Sequence, residues 1–256
     1  MSNCLILHIG SPKTGTSAIQ QFLYENDALL REKGFSYPWI QDGDYPFVNA
    51  NVLQYYQKWG KPDTQDPGWT NFWNKVRKQL QETNVILSWE VMFFYETVSF
   101  FSAVQKEYDN VKVIVYLRRQ DRYMESYWNE SVKDQCSIVA PFPMFTLLYD
   151  KYTDYLKKLD ILSSLFGCEN IIVRAYEKGQ FQGERKDVIS DFLYALGIKL
   201  DWKRCMVPVN PNPAMFGNFV EIKSTMNFYA DNSDKFQAIH EVFNRFIALK
   251  ASVTSL

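Results

Sequence analysis

The sequence predicts an α/β protein with a parallel central sheet flanked by helices and a helical C-terminal cap. Four apolar runs of strand length, residues 4–9, 85–89, 111–117 and 170–174, are rich in Val, Ile and Leu without alternating, the pattern of strands buried on both faces. Segments with helical apolar spacing separate these runs, and alternation of strand and helix is the signature of a parallel sheet. No repeat, low-complexity tract or Gly/Ser linker divides the chain, so residues 1–256 read as one domain with an irregular insertion at about 36–70.

The first strand enters a glycine-containing loop, and Ile19, Phe22, Leu23, Leu29 and Leu30 mark the helical region that follows, stopped by Gly34. The insertion holds Tyr37, Pro38, Trp39, Asp42, Gly43, Asp44, Tyr45, Pro46 and Phe47, turn formers and rings beside carboxylates. A packed surface loop and a substrate-binding loop both fit that mixture. Helical spacing resumes over 71–81, 98–108, 121–132 and 145–165. A further helix over 185–196 closes at Gly197, and two more follow the Pro-rich stretch 207–213.

Composition narrows the function classes. With 46% hydrophobic, 22% charged and 16% aromatic residues, the chain is neither disordered, collagenous nor coiled coil. A domain of this size removes roughly 75% of its unfolded surface from water, enough for a large core. Lys+Arg 28 against Asp+Glu 29 argues against bulk-charge binding to nucleic acid or acidic membrane, so any anion site must be local. Cys4, Cys136, Cys168 and Cys205 form no C-x-x-C pair, which suggests free thiols rather than zinc or a disulfide framework. No signal-peptide pattern appears, and no apolar run approaches the roughly 20 residues that span a bilayer. The expectation is a cytoplasmic enzyme with no integral membrane segment.

The sharpest feature is the run from His8 through Gly10, Ser11, Pro12, Lys13, Thr14, Gly15 and Thr16 to Ser17, between a strand and a helix. Gly10 and Gly15 let successive N–H groups turn inward, and the following helix aims its positive end at the same place, which suits a phosphate. Lys13 adds a mobile charge, and the Thr14, Thr16 and Ser17 hydroxyls add donors. The two glycines have the spacing of the phosphate loop of nucleoside triphosphatases, G-x-x-x-x-G-K-[ST], but Thr16 stands where that motif has its lysine. Glu90, after the second run, would serve as the Mg²⁺-binding acid of such an enzyme, so Mg-dependent phosphoryl transfer is one alternative.

The run Pro12-Lys13-Thr14-Gly15-Thr16-Ser17 after a first strand resembles the 5′-phosphosulfate loop of sulfotransferases that use 3′-phosphoadenosine 5′-phosphosulfate. A second element is similar to the same family. Arg118 and Arg119 end the third strand run, and Ser126 lies eight residues beyond Arg118, like the arginine and serine that grip the ribose 3′-phosphate. Ligands of open α/β sheets bind at the carboxyl ends of strands, where both elements belong. Arg119 could instead pair with Asp121, and Arg118, Arg119 and Arg122 together could be a solvated helix start. The segment Val173-Arg174-Ala175-Tyr176-Glu177 and the helix before Gly197 extend the resemblance over about residues 4–199.

The resemblance implies a P-loop NTPase-like sulfotransferase architecture and transfer of a sulfuryl group to an acceptor hydroxyl, leaving adenosine 3′,5′-bisphosphate and requiring no metal. Pro12, Lys13, Thr14, Gly15, Thr16 and Ser17 would bind the 5′-phosphate side of the donor, and Arg118 and Ser126 its 3′-phosphate. Lys13 would stabilise charge on the bridging oxygen, and a base must take the acceptor proton. Glu90 is the candidate base, with ion pairing to Lys13 as its other reading; His8, Asp42 and Asp44 stand behind it, and His240 lies in a C-terminal helical pattern. His8, inside the first strand, suits a hydrogen-bonded structural residue better. A carbohydrate acceptor is favoured, with rings of the insertion and Trp69, Trp73, Phe93, Phe94 and Tyr95 as lining or core. A nucleotide-binding module without catalysis is the remaining alternative.

Overall fold

The computed structural model describes residues 2–39, 67–93, 98–133, 140–208 and 219–229, with residues 238, 241 and 242. The chain packs as two compact units, one of Met1–Arg118 with Tyr155–Pro208 and one of Arg119–Asp154 with Val209–Leu256.

The first unit holds a parallel five-stranded sheet: β1 (Leu5–His8), β2 (Phe35–Ser36), β3 (Asn84–Ser88), β4 (Val111–Leu117) and β5 (Ile171–Ala175), in the order β2-β3-β1-β4-β5. The four strands expected from sequence are present within one residue at each end. β2 is additional, and its two residues are too short to show a pattern; its N-terminal residue Phe35 pairs with Asn84. Its helices are α1 (Thr16–Glu25), α2 (Asp27–Arg31), α3 (Pro67–Leu80) and α4 (Val98–Glu107). α3 starts at Pro67, inside the stretch expected to be irregular, and Tyr37 is core, so the insertion is shorter at both ends. Its middle, with Asp42 and Asp44, lies outside the described residues, as do the side chains of Trp69, Phe94 and Tyr95.

Alternate strand residues feed two cores. Leu5, Leu7, Val85, Leu87, Val113 and Val115 pack on Phe72, Val76, Phe101 and Phe166 on one face. Ile6, Ile86, Ile114 and Tyr116 pack on Ile19, Phe22, Leu23 and Phe192 on the other. Both faces are covered, as a parallel sheet requires. Trp73 and Phe93 belong to the first core, which assigns these two rings to packing.

Helical spacing over 145–165 predicts one helix, and the structure has a break. In the second unit, α5 (Gln120–Lys133) is followed by α6 (Phe142–Tyr149) and a 3₁₀ turn over Asp150–Thr153. α7 (Tyr155–Phe166) then opens the returning segment of the first unit, which continues to α8 (Val188–Ala195). Within the second unit, Tyr127 packs against Phe145, Tyr149 and Tyr152 at 5.5–5.8 Å between ring centroids, and Lys223 of α9 (Phe219–Tyr229) donates to the carbonyls of Val132 and Lys133. α9 falls where C-terminal helices were expected. Among the described residues no helix is long and apolar enough to cross a membrane.

α8 starts at Val188 rather than 185 because Asp187 and Ser190 form a reciprocal capping box. That cap aims Asp191 into the second core, where its carboxylate accepts from Tyr116 Oη at 2.7 Å, Arg174 Nε at 2.9 Å and the Gln182 N–H at 2.7 Å. Burial opposes ionisation of Asp191, but the Arg174, Gln182 and Tyr116 donors outweigh it and hold the carboxyl below its usual range. Asp191→Asn is expected to destabilise the protein by about 3 kcal/mol at neutral pH, because Arg174 loses its charged partner. Asp191 has its folded pKa depressed, so its contribution is present above the unfolded value of about 3.9 and is lost as pH falls through the folded one. Urea denaturation of parent and variant should show the gap closing below about pH 4.

Candidate functional site

The strand order reverses between β1 and β4, since the chain leaves β1 toward β2 and β3 and returns to add β4 and β5 on the other side. Crevices at the carboxyl ends of strands flanking such a switch point are the ligand sites of open α/β sheets. The loop from Ile9 to Gly15 leaves β1 there, and Arg118 follows β4. The loop is anchored to β4: the Tyr116 N–H donates to the Gly10 carbonyl at 2.7 Å, and the Ser11 N–H donates to the Tyr116 carbonyl at 2.9 Å.

Three loop residues are left-handed: Gly10 with φ 101°, Lys13 with φ 64° and Gly15 with φ 76°. Gly10 is required twice over, since a Cβ there would stand 2.9 Å from the Glu90 carbonyl oxygen. Gly15 is the N-cap of α1, which has no side-chain cap and no acidic residue in its first turn. The first amides of α1 and its positive dipole end therefore face a place suited to an external anion.

The hydroxyls divide differently from the expectation that all three serve as donors. Thr14 is buried and its hydroxyl donates to the Ser11 carbonyl, closing the loop on itself. The buried Thr16 donates to a Glu90 carboxylate oxygen. Ser17 is exposed at the start of α1. Side-chain donation by Thr14 and Thr16 is thus already committed within the protein, because the turn brings each beside an internal acceptor, while their backbone amides belong to the loop. Glu90 opens a short 3₁₀ turn two residues after β3, which carries its half-buried carboxylate to the start of α1.

Arg118 is built into the same place. Its guanidinium donates to the Lys13 carbonyl at 3.1 Å and lies 5.6 Å from the Tyr176 ring centroid, while its own carbonyl accepts from Tyr155 Oη at 2.8 Å. The Tyr176 ring would also lie 3.3 Å from a Cβ on Gly15. Ser126 belongs to the second unit, half-buried on α5. Arg119 forms a two-pronged pair with Asp121, both bonds 2.7 Å, and Arg122 pairs with Glu125 at 3.0 Å. Arg119 and Arg122 thus pair with carboxylates at the start of α5, and Arg118 donates to the loop.

His8 is fully buried, with Nδ1 2.7 Å from Ser88 Oγ, and burial pushes its pKa down to about 3. Enclosed in the second core beneath the loop, it is a structural residue. His240 lies outside the described residues. Gln20, whose amide donates to Ser88 Oγ at 3.1 Å, was not singled out in the sequence, although it sits one helical turn beyond Thr16.

No family model matches the chain. A protein of Archaeoglobus fulgidus described only as uncharacterized is 30% identical over 131 residues, which is 50% of this chain and 34% of that protein, so the match spans about a third of the relative's length. Among solved structures, the chain is similar to a sulfotransferase from Alicyclobacillus acidocaldarius with a TM-score of 0.52 at 15% identity, covering 94% of this chain and 97% of that one. It is also similar to the sulfotransferase domain from the curacin biosynthetic pathway, with a TM-score of 0.48 at 10% identity, over 94% of this chain and 98% of that domain. The five-stranded parallel sheet with its helical layers is therefore the sulfotransferase fold.

Proposed function

We propose that this chain is a cytoplasmic sulfotransferase that uses 3′-phosphoadenosine 5′-phosphosulfate to sulfate a hydroxyl of a carbohydrate or glycoconjugate, with no metal. The observation that carries this reading is the joining of the left-handed loop to Arg118 at the switch point of the sheet, with the one loop lysine at position 13 and none at the triphosphatase position. The loop offers backbone donors and a cation to one phosphate, and Arg118 offers a second cation beside it.

The donor supplies an activated sulfuryl group on a phosphate oxygen. Amides from Gly15 to Ser17, at the uncapped start of α1, hold the 5′-phosphate. Lys13 neutralises the charge that grows on the bridging oxygen as the sulfuryl group leaves. Arg118 pairs with the ribose 3′-phosphate, and Ser126 is assigned a second contact by the family resemblance. Glu90, oriented by the Thr16 hydroxyl, takes the acceptor proton as the acceptor oxygen bonds to sulfur. Pro12 and Thr14 shape the loop that presents these groups.

Calorimetric titration tests the proposal, with adenosine 3′,5′-bisphosphate compared with adenosine 5′-phosphate and Mg-ATP. Preference for the bisphosphate without metal is the expected result. Preference for Mg-ATP would identify a Mg-dependent phosphotransferase instead, and bisphosphate binding without turnover of the phosphosulfate donor on an acceptor panel would identify a binding module. Arg118→Ala is expected to weaken bisphosphate binding by about 2 kcal/mol while leaving adenosine 5′-phosphate nearly unchanged. Equal losses for both nucleotides would move Arg118 to the 5′-phosphate.

A further inference from the structure

We propose that Gln20, Ser88 and His8 form a buried relay, Gln20 donating to Ser88 and Ser88 donating to His8, that positions the phosphate loop and Glu90 for anion binding. It rests on the anion-site reading above and adds three positioning residues that touch no substrate.

The three side chains are 3%, 0% and 0% exposed, and each stands where an element leads into the site. His8 ends β1, and Gly10 follows two residues later. Ser88 ends β3 directly opposite His8 in the parallel register, and Glu90 follows two residues later. Gln20 lies on α1 one turn beyond Thr16, whose hydroxyl meets that same Glu90. The relay thus ties together the roots of the segments that carry Lys13, Glu90 and the α1 amides.

The direction of its first step follows from the donors, and that of its second is part of the proposal. Gln20 Nε2 only donates, so at 3.1 Å it occupies a lone pair of Ser88 Oγ. In the proposed direction the single Ser88 hydroxyl proton points to His8 Nδ1, 2.7 Å away. His8 then carries its own proton on Nε2, an atom with no hydrogen-bond partner among the described residues. Phe192 and Tyr116 make edge-to-face contacts with the imidazole at 5.2 and 6.2 Å, surroundings in which an N–H is accommodated better than a bare lone pair. A fixed tautomer fixes the ring orientation at the paired ends of β1 and β3, below the loop.

Long-range ¹H–¹⁵N correlation spectra of the full chain test the relay, since it has only two histidines and His240→Gln assigns them. His8 should read as protonated on Nε2 and bare on Nδ1, unchanged from pH 8 to about 5.5, as its depressed pKa requires. Gln20→Met, which keeps length and removes the donor, should shift the His8 nitrogens. It should also weaken adenosine 3′,5′-bisphosphate binding about tenfold, the scale of one lost hydrogen bond. Ser88→Ala should do the same, and the double variant should be little worse than Ser88→Ala alone. A His8 protonated on Nδ1 in the parent overturns the relay, as does a Gln20→Met protein with parental spectra and affinity. If the parent binds no bisphosphate, the function reading fails, and the His8 response to Gln20→Met still decides whether the relay exists.

Discussion

Lys13→Ala is expected to lower turnover with the phosphosulfate donor by about 10²- to 10³-fold, the loss typical of removing one group that stabilises transition-state charge. Bisphosphate affinity should change far less, since in the proposed function the amides of α1 and Arg118 hold the two phosphates of the product. The split follows from the timing of charge. The bridging oxygen becomes anionic only as the sulfuryl group departs, so a cation aimed there favours the transition state over the ground state. Lys13 is a non-glycine residue at φ 64°, and alanine at that position carries the same backbone strain. Lys13→Gly relieves the strain while removing the same amine. Equal loss of turnover in both variants, measured with calorimetric affinities beside the rates, assigns the effect to the ammonium group. Parallel losses of turnover and bisphosphate affinity would make Lys13 a ground-state binding residue instead.

What was legible in the sequence follows from where the physics is local. Buried parallel strands need continuous apolar runs, so β1, β3, β4 and β5 could be read directly, and the loop announced itself through Gly10 and Gly15 between a strand and a helix. Strand β2 could not, because two residues carry no period. The break after Tyr149 was hidden for another reason: Phe145, Tyr149, Tyr152, Tyr155 and Leu159 keep helical spacing across it, with no glycine or proline to mark the 3₁₀ turn. Apolar spacing puts the start of α8 at 185, and the capping box of Asp187 and Ser190 sets it at Val188. Within the site, residue types indicated which groups gather but not how they pair. Thr14 and Thr16 look like free donors in one dimension and are engaged by Ser11 and Glu90 in three. Gln20 and Ser88 are 68 residues apart, and only the fold brings them together.

His8 gives the second large effect, and it appears in stability. Burial in the second core depresses its pKa to about 3, against about 6.5 in an unfolded chain. The unfolded state therefore binds a proton that the folded state refuses throughout that window. The stability associated with neutral His8 is fully present above about pH 6.5 and is lost as pH falls toward 3, at about 1.4 kcal/mol per pH unit. His8→Gln removes the titrating group, so its stability should lack this slope even if the lost Ser88 contact lowers it at pH 7. Urea denaturation at pH 6.5 and 5.0 should show the parent losing about 2 kcal/mol more than the variant. His240 is common to both proteins and cancels in that difference. A parent that loses no more than the variant would mean that His8 takes up a proton in the folded protein, which its enclosure between Ser88, Tyr116 and Phe192 opposes. The same enclosure separates His8 from Glu90 in role, since a ring sealed beneath the loop cannot receive a proton from an acceptor and a half-buried carboxylate at its rim can.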